Sequence, residues 1–431
     1  MGCTGRRNDF LCIARQVADD KIELGNADTQ GHGKQGKSGS SVSKSNYVIR
    51  VLDSPLQVDA DAWNGLLAQQ AQPIPFMRHE YLAALHRSGS ACPATGWTPR
   101  FVTLWDAAGI LQAACPLYLK SHSRGEYVFD WAWADAHLRH GIAYYPKAVV
   151  AVPFTPVPGS RLLARDAASR SALVEAVLDL CRDKELSSLH LLFGHPQDLQ
   201  ACQQAGLMQR HTVQFHWENR KPEPYRDFDD FLSALSQEKR KKIRQERRKV
   251  LAAGVTLREL RGADIRPRDW DFFYRCYERT YLEHGNPPYL SRAFFAGIAD
   301  TQPQHWLLFI AERQGTPIAS SLIAISDEGP EKVAWGRYWG ALERIDCLHF
   351  EACYYSPLQW CMAHGYQRFE GGAQGEHKLA RALLPVRTSS AHWLSHPEFA
   401  LAIERFLERE AQGISEYVDE LERHAPLRQG S

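Results

Sequence analysis

The feature that most constrains this chain is a layout that occurs twice. A hairpin signal runs from the strand RFVTLWD through a turn at Ala107, Ala108 and Gly109 into ILQAACPLYLK. The same layout returns 206 residues later in HWLLFIAERQGTPIASSLIAISDE, where Gln314 and Gly315 make the turn. An aromatic segment that reads as a strand comes after each hairpin, YVFDWAWADA at 127–136 and VAWGRYWGA at 333–341, offset by about 205. Paired tyrosines and a proline come next, Tyr144, Tyr145 and Pro146, then Tyr354, Tyr355 and Pro357, offset by about 210. One recurrence would be chance. Three in the same order point to a duplicated domain.

The length allows it. With 431 residues, the chain can build two or three separate cores. Apolar residues are 44% and charged residues 23%, the balance of a globular protein. Lys and Arg number 51 against 50 Asp and Glu, a net charge of +1, which excludes a global basic field for nucleic acid and leaves only a local patch. No stretch of about 18 apolar residues occurs, so no membrane span is expected. The N-terminal residues lack the long apolar core of a secretion signal. None of the ten cysteines forms a CxxC pair. A cytoplasmic protein with reduced thiols is therefore expected.

Boundaries track composition. Residues 1–46 are rich in Gly, Ser, Gln and Lys and read as a disordered leader. One domain is expected over 47–218, a linker with a basic helix over 219–252, a second domain over 253–425 and a frayed tail over 426–431. Each domain reads as a mixed α/β unit. Pro116 sits inside a strand and marks an edge or a bulge. Residues 227–250 read as one helix with a thin apolar stripe and a dense run of positive charge. Lys241, Lys242, Arg244, Arg247 and Arg248 form an expected anion-binding face, for the phosphates of a cofactor, RNA or a polar lipid head. The alternative is a solvated linker helix.

The densest polar clusters lie in the second half, in WGRYWG, LHFEACYYS and RFEGGAQGEHKLAR. Acyl transfer to an amine needs a base for the amine proton, a donor for oxyanion charge and an acid for the leaving group. Glu370 or Glu351 suits the base and Tyr354 or Tyr355 the acid. Arg337 offers a planar fork for a carboxylate or phosphate, and His377 emerges on a loop nearby. In the first half, Asp130, Trp133 and Arg161 are candidate substrate contacts, with Trp131 and Trp133 on one face of a strand. Cys353, four residues after His349, is a weaker nucleophile candidate. There is no HExxH spacing, so no metal is expected, and neither GxGxxG nor GxxxxGK[ST] occurs.

Taken together, KSHSRGEYVFDWAWADA, PFTPVPGSRLL, KRKKIRQERR, GRYWG, HFEACYY and FEGGAQGEHKLARALLP resemble the FemAB-like family of N-acyltransferases, across residues 45–425. The resemblance implies an α/β fold of two tandem acetyltransferase-like (GNAT-like) domains, each a mixed central sheet flanked by helices. It implies an acyl or aminoacyl group moved to an amine in a cleft between them, with acyl-CoA or aminoacyl-tRNA as donor substrate and no tightly bound cofactor. The acceptor would be an amine-bearing small molecule, a peptide or a cell-wall precursor, with RNA a further contact. The chain carries no Q/RxxGxG/A acetyl-CoA loop. Two other readings stay open, a catalytically silent ligand-binding protein and an RNA-associated protein that uses the basic helix.

Overall fold

The computed structural model describes residues 47–373 and 375–427. The leader expected over 1–46 and the last four residues of the expected tail lie outside them. The first half contributes nine strands: β1 (Val48–Leu52), β2 (Trp97–Pro99), β3 (Phe101–Trp105), β4 (Leu111–Cys115), β5 (Leu117–Lys120), β6 (Lys147–Val150), β7 (Leu163–Ala164), β8 (Ser188–Leu191) and β9 (Met208–Glu218). The second contributes β10 (Val255–Arg261), β11 (Trp306–Arg313), β12 (Thr316–Ser326), β13 (Val333–Ala341), β14 (Arg368–Ala373) and β15 (Leu384–Leu394).

The connections repeat. β1, β3 and β4 are antiparallel neighbours, as are β10, β11 and β12. Each half then holds one parallel pair joined by a crossover: β6 with β8, and β13 with β14. The two hairpin turns carry left-handed glycines, Gly109 at φ 77° and Gly315 at φ 75°. Pro116 has no N–H to place in a ladder. There the chain leaves the four-stranded sheet β1-β3-β4-β7 and joins the larger one through β5. The equivalent β12 runs unbroken.

Duplication holds, but two of the three recurrences that pointed to it do not correspond in space. Residues Trp131–Arg139 form a helix rather than a strand. Three alanines favour the helix, and Trp133 and His137, one turn apart, are both buried on one face. Tyr144 and Tyr145 precede β6, whereas Tyr354 and Tyr355 lie in a helical segment after β13. The basic stretch is two helices, Phe228–Ala234 and Gln237–Ala252, rather than one. Leu235 breaks it by turning extended to bury its side chain fully, where its backbone bridges to Leu427. Among the described residues no helix is long and apolar enough to cross a membrane.

The final strand of each half is exchanged. β9, from the first half, lies between β14 and β15, and β15 lies between β9 and β8. The eleven strands β10-β11-β12-β13-β14-β9-β15-β8-β6-β5-β2 thus form one sheet across both halves. β9 and β15 pair antiparallel from Met208–His392 to His216–Leu384. Side chains reinforce the crossing: Thr212 with Thr388 at 2.8 Å, His211 with Ser389 at 2.7 Å and His190 with His392 at 2.8 Å. One core also spans the seam, where Phe76 and Tyr81 meet Trp306, and Phe76 meets Trp335 edge-on.

A half taken alone would leave β8 and β9 without their β15 and β14 partners and expose this aromatic seam. The full chain should therefore unfold in one urea transition, the same by tryptophan fluorescence and circular dichroism. A fragment of residues 47–218 should not fold cooperatively. A fragment with a sharp transition of its own would contradict the shared-core account.

Candidate functional site

The parallel pair β13–β14 is short. Val333, Ala334 and Trp335 register with Arg368, Phe369 and Glu370, and there the pairing stops. Both strands are irregular at that level. On β13 the register against β12 shifts so that Arg337 becomes an extra residue between Gly336 and Tyr338. On β14, Gly371 and Gly372 interrupt the pairing with β9 between Glu370–His216 and Ala373–Gln214. Each glycine has its own reason. A Cβ on Gly371 would stand 2.9 Å from the Phe215 carbonyl oxygen and 2.4 Å from Leu383, while Gly372 takes φ 75°. The strands part here, and the parting exposes backbone edges inside the fold.

Alternation sorts the side chains around the parting. Trp335, Glu370 and His216 occupy matching positions on one face, toward Phe76 and the first-half segment at 153–158. Phe369 lies on the other face, packed with Tyr354 and Tyr355 of the helical segment at 348–363.

Glu370 is a carboxyl strongly changed by its setting. One carboxylate oxygen, Oε1, accepts from Arg368 Nε at 3.1 Å. The other, Oε2, is buried and accepts no hydrogen bond, with His216 Nε2 4.0 Å away. Burial pushes the carboxyl up to about 7, partly offset by Arg368 and by the neighbouring Trp335 indole. His216 is held neutral, pushed down to about 3 by burial and the nearby Arg368 and Lys378 charges. Its Nε2 donates to Gln214 Oε1 at 3.2 Å, and Gln214 donates to the Pro156 carbonyl at 2.8 Å. A chain of contacts so runs from the first-half loop to Glu370.

Arg337 points into the seam. Its guanidinium donates to the Phe154 carbonyl at 3.1 Å and the Tyr338 hydroxyl at 3.2 Å and lies over the Phe76 ring. Lys378 donates to the Gly372 carbonyl at 3.2 Å and is pushed down to about 8 by burial. On the opposite face, Tyr354 and His377 Nε2 are 3.2 Å apart. Burial lowers His377 to about 4 and raises the Tyr354 phenol. The Cys353 thiol is pushed up to about 12 by burial, so it stays protonated and is no nucleophile in this state.

Other candidates are tied up elsewhere. Glu351 pairs with Arg247 at 2.9 Å and accepts from Ser356, which makes it an anchor for the basic helix. Asp130 belongs to a buried network in the first half. Lys147 binds both Asp130 and Glu126, the latter at 2.8 Å, and Tyr144 donates to Asp130 at 2.6 Å. Burial opposes the Asp130 charge, but Lys147 and His190 outweigh it and hold the carboxyl low. Trp133, on its helix, packs edge-on against His392 under the Arg210 guanidinium. Arg161 is fully buried and donates to the Gly159 and Val157 carbonyls of its own loop. The structure therefore puts Glu370 and Arg337 on neighbouring strands beside the seam, each with its own partners, and puts Asp130, Trp133 and Arg161 in the first-half interior.

Sequence reasoning missed His216, Gln214 and Lys147. The first two had a signal. HTVQFHWE puts Thr212, Gln214 and His216 on one face by period two, a polar face beside an apolar one. Lys147 had none, since its acidic partners come from a distant loop.

The basic helix borders a groove of about 1070 Å³ whose lining includes Arg240, Lys241, Arg244, Arg247 and Arg248 together with the acidic Asp227 and Asp229. Arg244 reaches Asp229 at 3.3 Å. Arg240 joins the expected set, and Lys242, exposed, does not line the groove.

The raised carboxyl has a consequence for stability. A folded-state value above the unfolded one means that the native protein binds the extra proton, so native stability is lost as pH rises from about 4.5 to about 7. Glu370→Gln removes that loss, worth on the order of 3 kcal/mol at most. The variant should melt higher than wild type at pH 8, and the gap should close by pH 4.5. An equal or lower melting temperature at pH 8 would show that the charge is stabilised in place.

Comparison with known proteins agrees with this architecture. The FemAB-like family, described as peptidoglycan biosynthesis/recognition, matches residues 54–429. The C-terminal domain of a protein assigned as lysylphosphatidylglycerol synthetase from Agrobacterium fabrum superposes with a TM-score of 0.50 at 13% identity, over 81% of this chain and 96% of that one. The corresponding protein of Bacillus licheniformis gives 0.46 at 10% identity over 78% and 98%, and a tandem GNAT protein from the clavulanic acid pathway gives 0.42 at 13% over 81% and 99%. No curated protein matches the chain. The family match covers nearly all of the described chain, and this protein belongs to the FemAB-like family.

Proposed function

We propose that this protein is an N-acyltransferase that moves an acyl or aminoacyl group to an amine at the parting of β13 and β14, with Glu370 as the base. The observation that carries the reading is the Glu370 carboxylate, buried and raised to about 7, with one oxygen free of any hydrogen bond beside parted strands. Such a carboxylate is poised to take a proton near neutral pH. Family membership and the acetyltransferase-like fold support the transferase class.

The chemistry balances simply. The amine nitrogen bonds to the acyl carbonyl carbon, and the bond from that carbon to the donor's sulfur or oxygen breaks. Glu370 Oε2 accepts the proton the nitrogen loses. The leaving thiolate or alkoxide takes a proton from water, since Tyr354 lies on the opposite face of the sheet from Glu370. The N–H groups freed where the strands part are suited to an oxyanion. Donors of this kind are acyl-CoA or aminoacyl-tRNA. The acceptor is an amine-bearing small molecule, a peptide or a cell-wall precursor, which fits the family's description. Both donor classes are made in the cytoplasm, the compartment we assign. A silent binding protein would pair Glu370 with Arg337. Glu370 instead pairs with Arg368 through one oxygen only.

In a transfer assay with a panel of acyl-CoA and aminoacyl-tRNA donors, Glu370→Gln should lower kcat/KM about 10²–10⁴-fold. The acid limb of the wild-type pH profile, near 7, should vanish with it. Unchanged turnover in the folded variant would remove Glu370 as the base.

A specific observation favours a second role for the basic groove, the binding of a phosphate backbone such as the donor RNA. Arg240, Lys241 and Arg248 line it without an ion pair among the described residues. Replacing Lys241 and Arg248 with Gln should weaken single-stranded RNA binding and flatten its log–log salt slope by about 0.7 per lost contact. An unaltered slope would leave the groove without that role.

A further inference from the structure

Arg337 is a cation enclosed without an anion. Among the described residues no carboxylate lies within ion-pair distance of it, although buried or half-buried arginines elsewhere in the fold, such as Arg170, Arg210 and Arg381, each hold one. Its Nε is buried with no acceptor at all. Its two hydrogen-bond acceptors, the Phe154 carbonyl and the Tyr338 hydroxyl, are neutral and both are met by one terminal nitrogen. The remaining faces are aromatic: Phe76 lies 5.2 Å and Tyr338 5.0 Å from the guanidinium carbon. Tyr81 and Tyr127 also stand close enough to act on its charge.

That enclosure is built by both halves. Phe76, Tyr81, Tyr127 and Phe154 come from the first, and Tyr338 with Tyr281 and Tyr289 from the second. Phe154 stacks on Tyr289 at 4.9 Å and so closes the ring across the seam. Tyr127, Tyr281, Tyr289, Tyr338 and Arg337 are each partly exposed, so the ring lies near the surface. A guanidinium in such a place loses several kcal/mol of hydration that neutral carbonyls return only in part. Burial without a paired charge is costly, and a ligand that supplies the charge would offset that cost.

We infer that Arg337 and its tyrosine ring form an oxyanion-binding site, and that the acceptor carries a carboxylate or phosphate close to the amine that is acylated. The amine part rests on the transfer reading above, whereas the anion site stands on Arg337 itself. Arg337 is the extra residue of the β13 bulge, and both it and Trp335, the register partner of Glu370, meet the Phe76 ring, so the anion site opens on the same seam as the parting. A planar fork edged by phenol hydroxyls suits three-centre oxyanions.

The test uses small oxyanions and the full chain. Melting temperatures of wild type, Glu370→Gln, Arg337→Gln and Arg337→Lys are compared in chloride, acetate and inorganic phosphate at equal ionic strength and pH. Acetate should raise the melting temperature of wild type and Glu370→Gln by several degrees over chloride, Arg337→Lys by less, and Arg337→Gln not at all. A rise with phosphate but not acetate, again lost in Arg337→Gln, assigns the site to a phosphate ester. A rise of equal size in Arg337→Gln is general salt action and overturns the site, as does the absence of any oxyanion effect in wild type. Because Glu370→Gln keeps the site, a failed transfer assay with an intact acetate effect would sink the base and leave the anion site standing. In chloride, Arg337→Gln should melt no lower than wild type, since it removes an unpaired charge, and this separates loss of binding from loss of fold.

Discussion

The exchange of β9 and β15 governs the rest of this structure. A duplicated chain can fold as two beads on a string or as one body. Here the last strand of each half completes the other, so neither sheet is finished without its partner. Exchange removes two edges that would otherwise lie open to wrong pairing. It also fixes the angle between the halves through backbone hydrogen bonds, which bend far less than a side-chain interface would. The seam beside β13 and β14 is therefore a rigid place, in which a distance between groups of different halves is set by the sheet rather than by a hinge. Preorganisation of this kind is what positions polar groups usefully.

Charge burial separates the structural polar groups from the candidate working ones. The network at Lys147 is as deeply buried as Glu370, yet it is built to close on itself. Lys147 takes both carboxylates and Ser123 at 2.9 Å, and Tyr144 caps Asp130. Its burial cost is largely returned by its own members. Glu246 behaves similarly, held by Arg381 at 2.9 Å and by the Tyr355 hydroxyl, and so pins the basic helix to the second half. Glu370 and Arg337 differ in place. Like Glu126, Asp130 and Arg381, each has a buried polar atom with nothing to bind, but these two sit where β13 and β14 separate.

How much of this was legible in the sequence depends on the range of the interaction. The hairpins with Gly109 and Gly315 were readable because turn chemistry is local. Duplication was readable from them, even though the aromatic and tyrosine recurrences beside them were coincidental. The segment at 131–139 misled because WAWADAH alternates like a strand while its alanines favour a helix, and tertiary packing of Trp133 and His137 decided between them. Glu370 and Arg337 could be picked out from composition and neighbouring glycines. Their partners could not, since Arg337 meets Phe154 across 183 residues. Strand exchange left no trace at all. A strand with two partners has the same period as a strand with one, and only the pairing says whose sheet it enters.

The halves share a plan but not the parting. In the second half β13 and β14 separate after Glu370, and polar groups line the gap. In the first half β6 and β8 register through Val150 and Leu191, the same level, and the chain beyond it is closed. The loop after β6 turns back, so that Gly159 donates to the Phe193 carbonyl at 3.0 Å and His195 donates to the Gly159 carbonyl at 3.1 Å. Backbone hydrogen bonds thus fill the place that the second half leaves free. Ile74, Phe154 and Phe193 seal it with apolar bulk. Arg161, turned inward, ties the same loop to its own carbonyls. The carboxylate beside this slot, Asp198, is taken up by the Arg161 and Leu162 N–H groups. Yet the closing loop is not idle, for its carbonyls at Phe154 and Pro156 reach across to Arg337 and Gln214. The first-half loop so forms part of the wall around the parting in the second half. A parting walled by both copies is what a duplication locked by exchanged strands can build and what a single copy cannot.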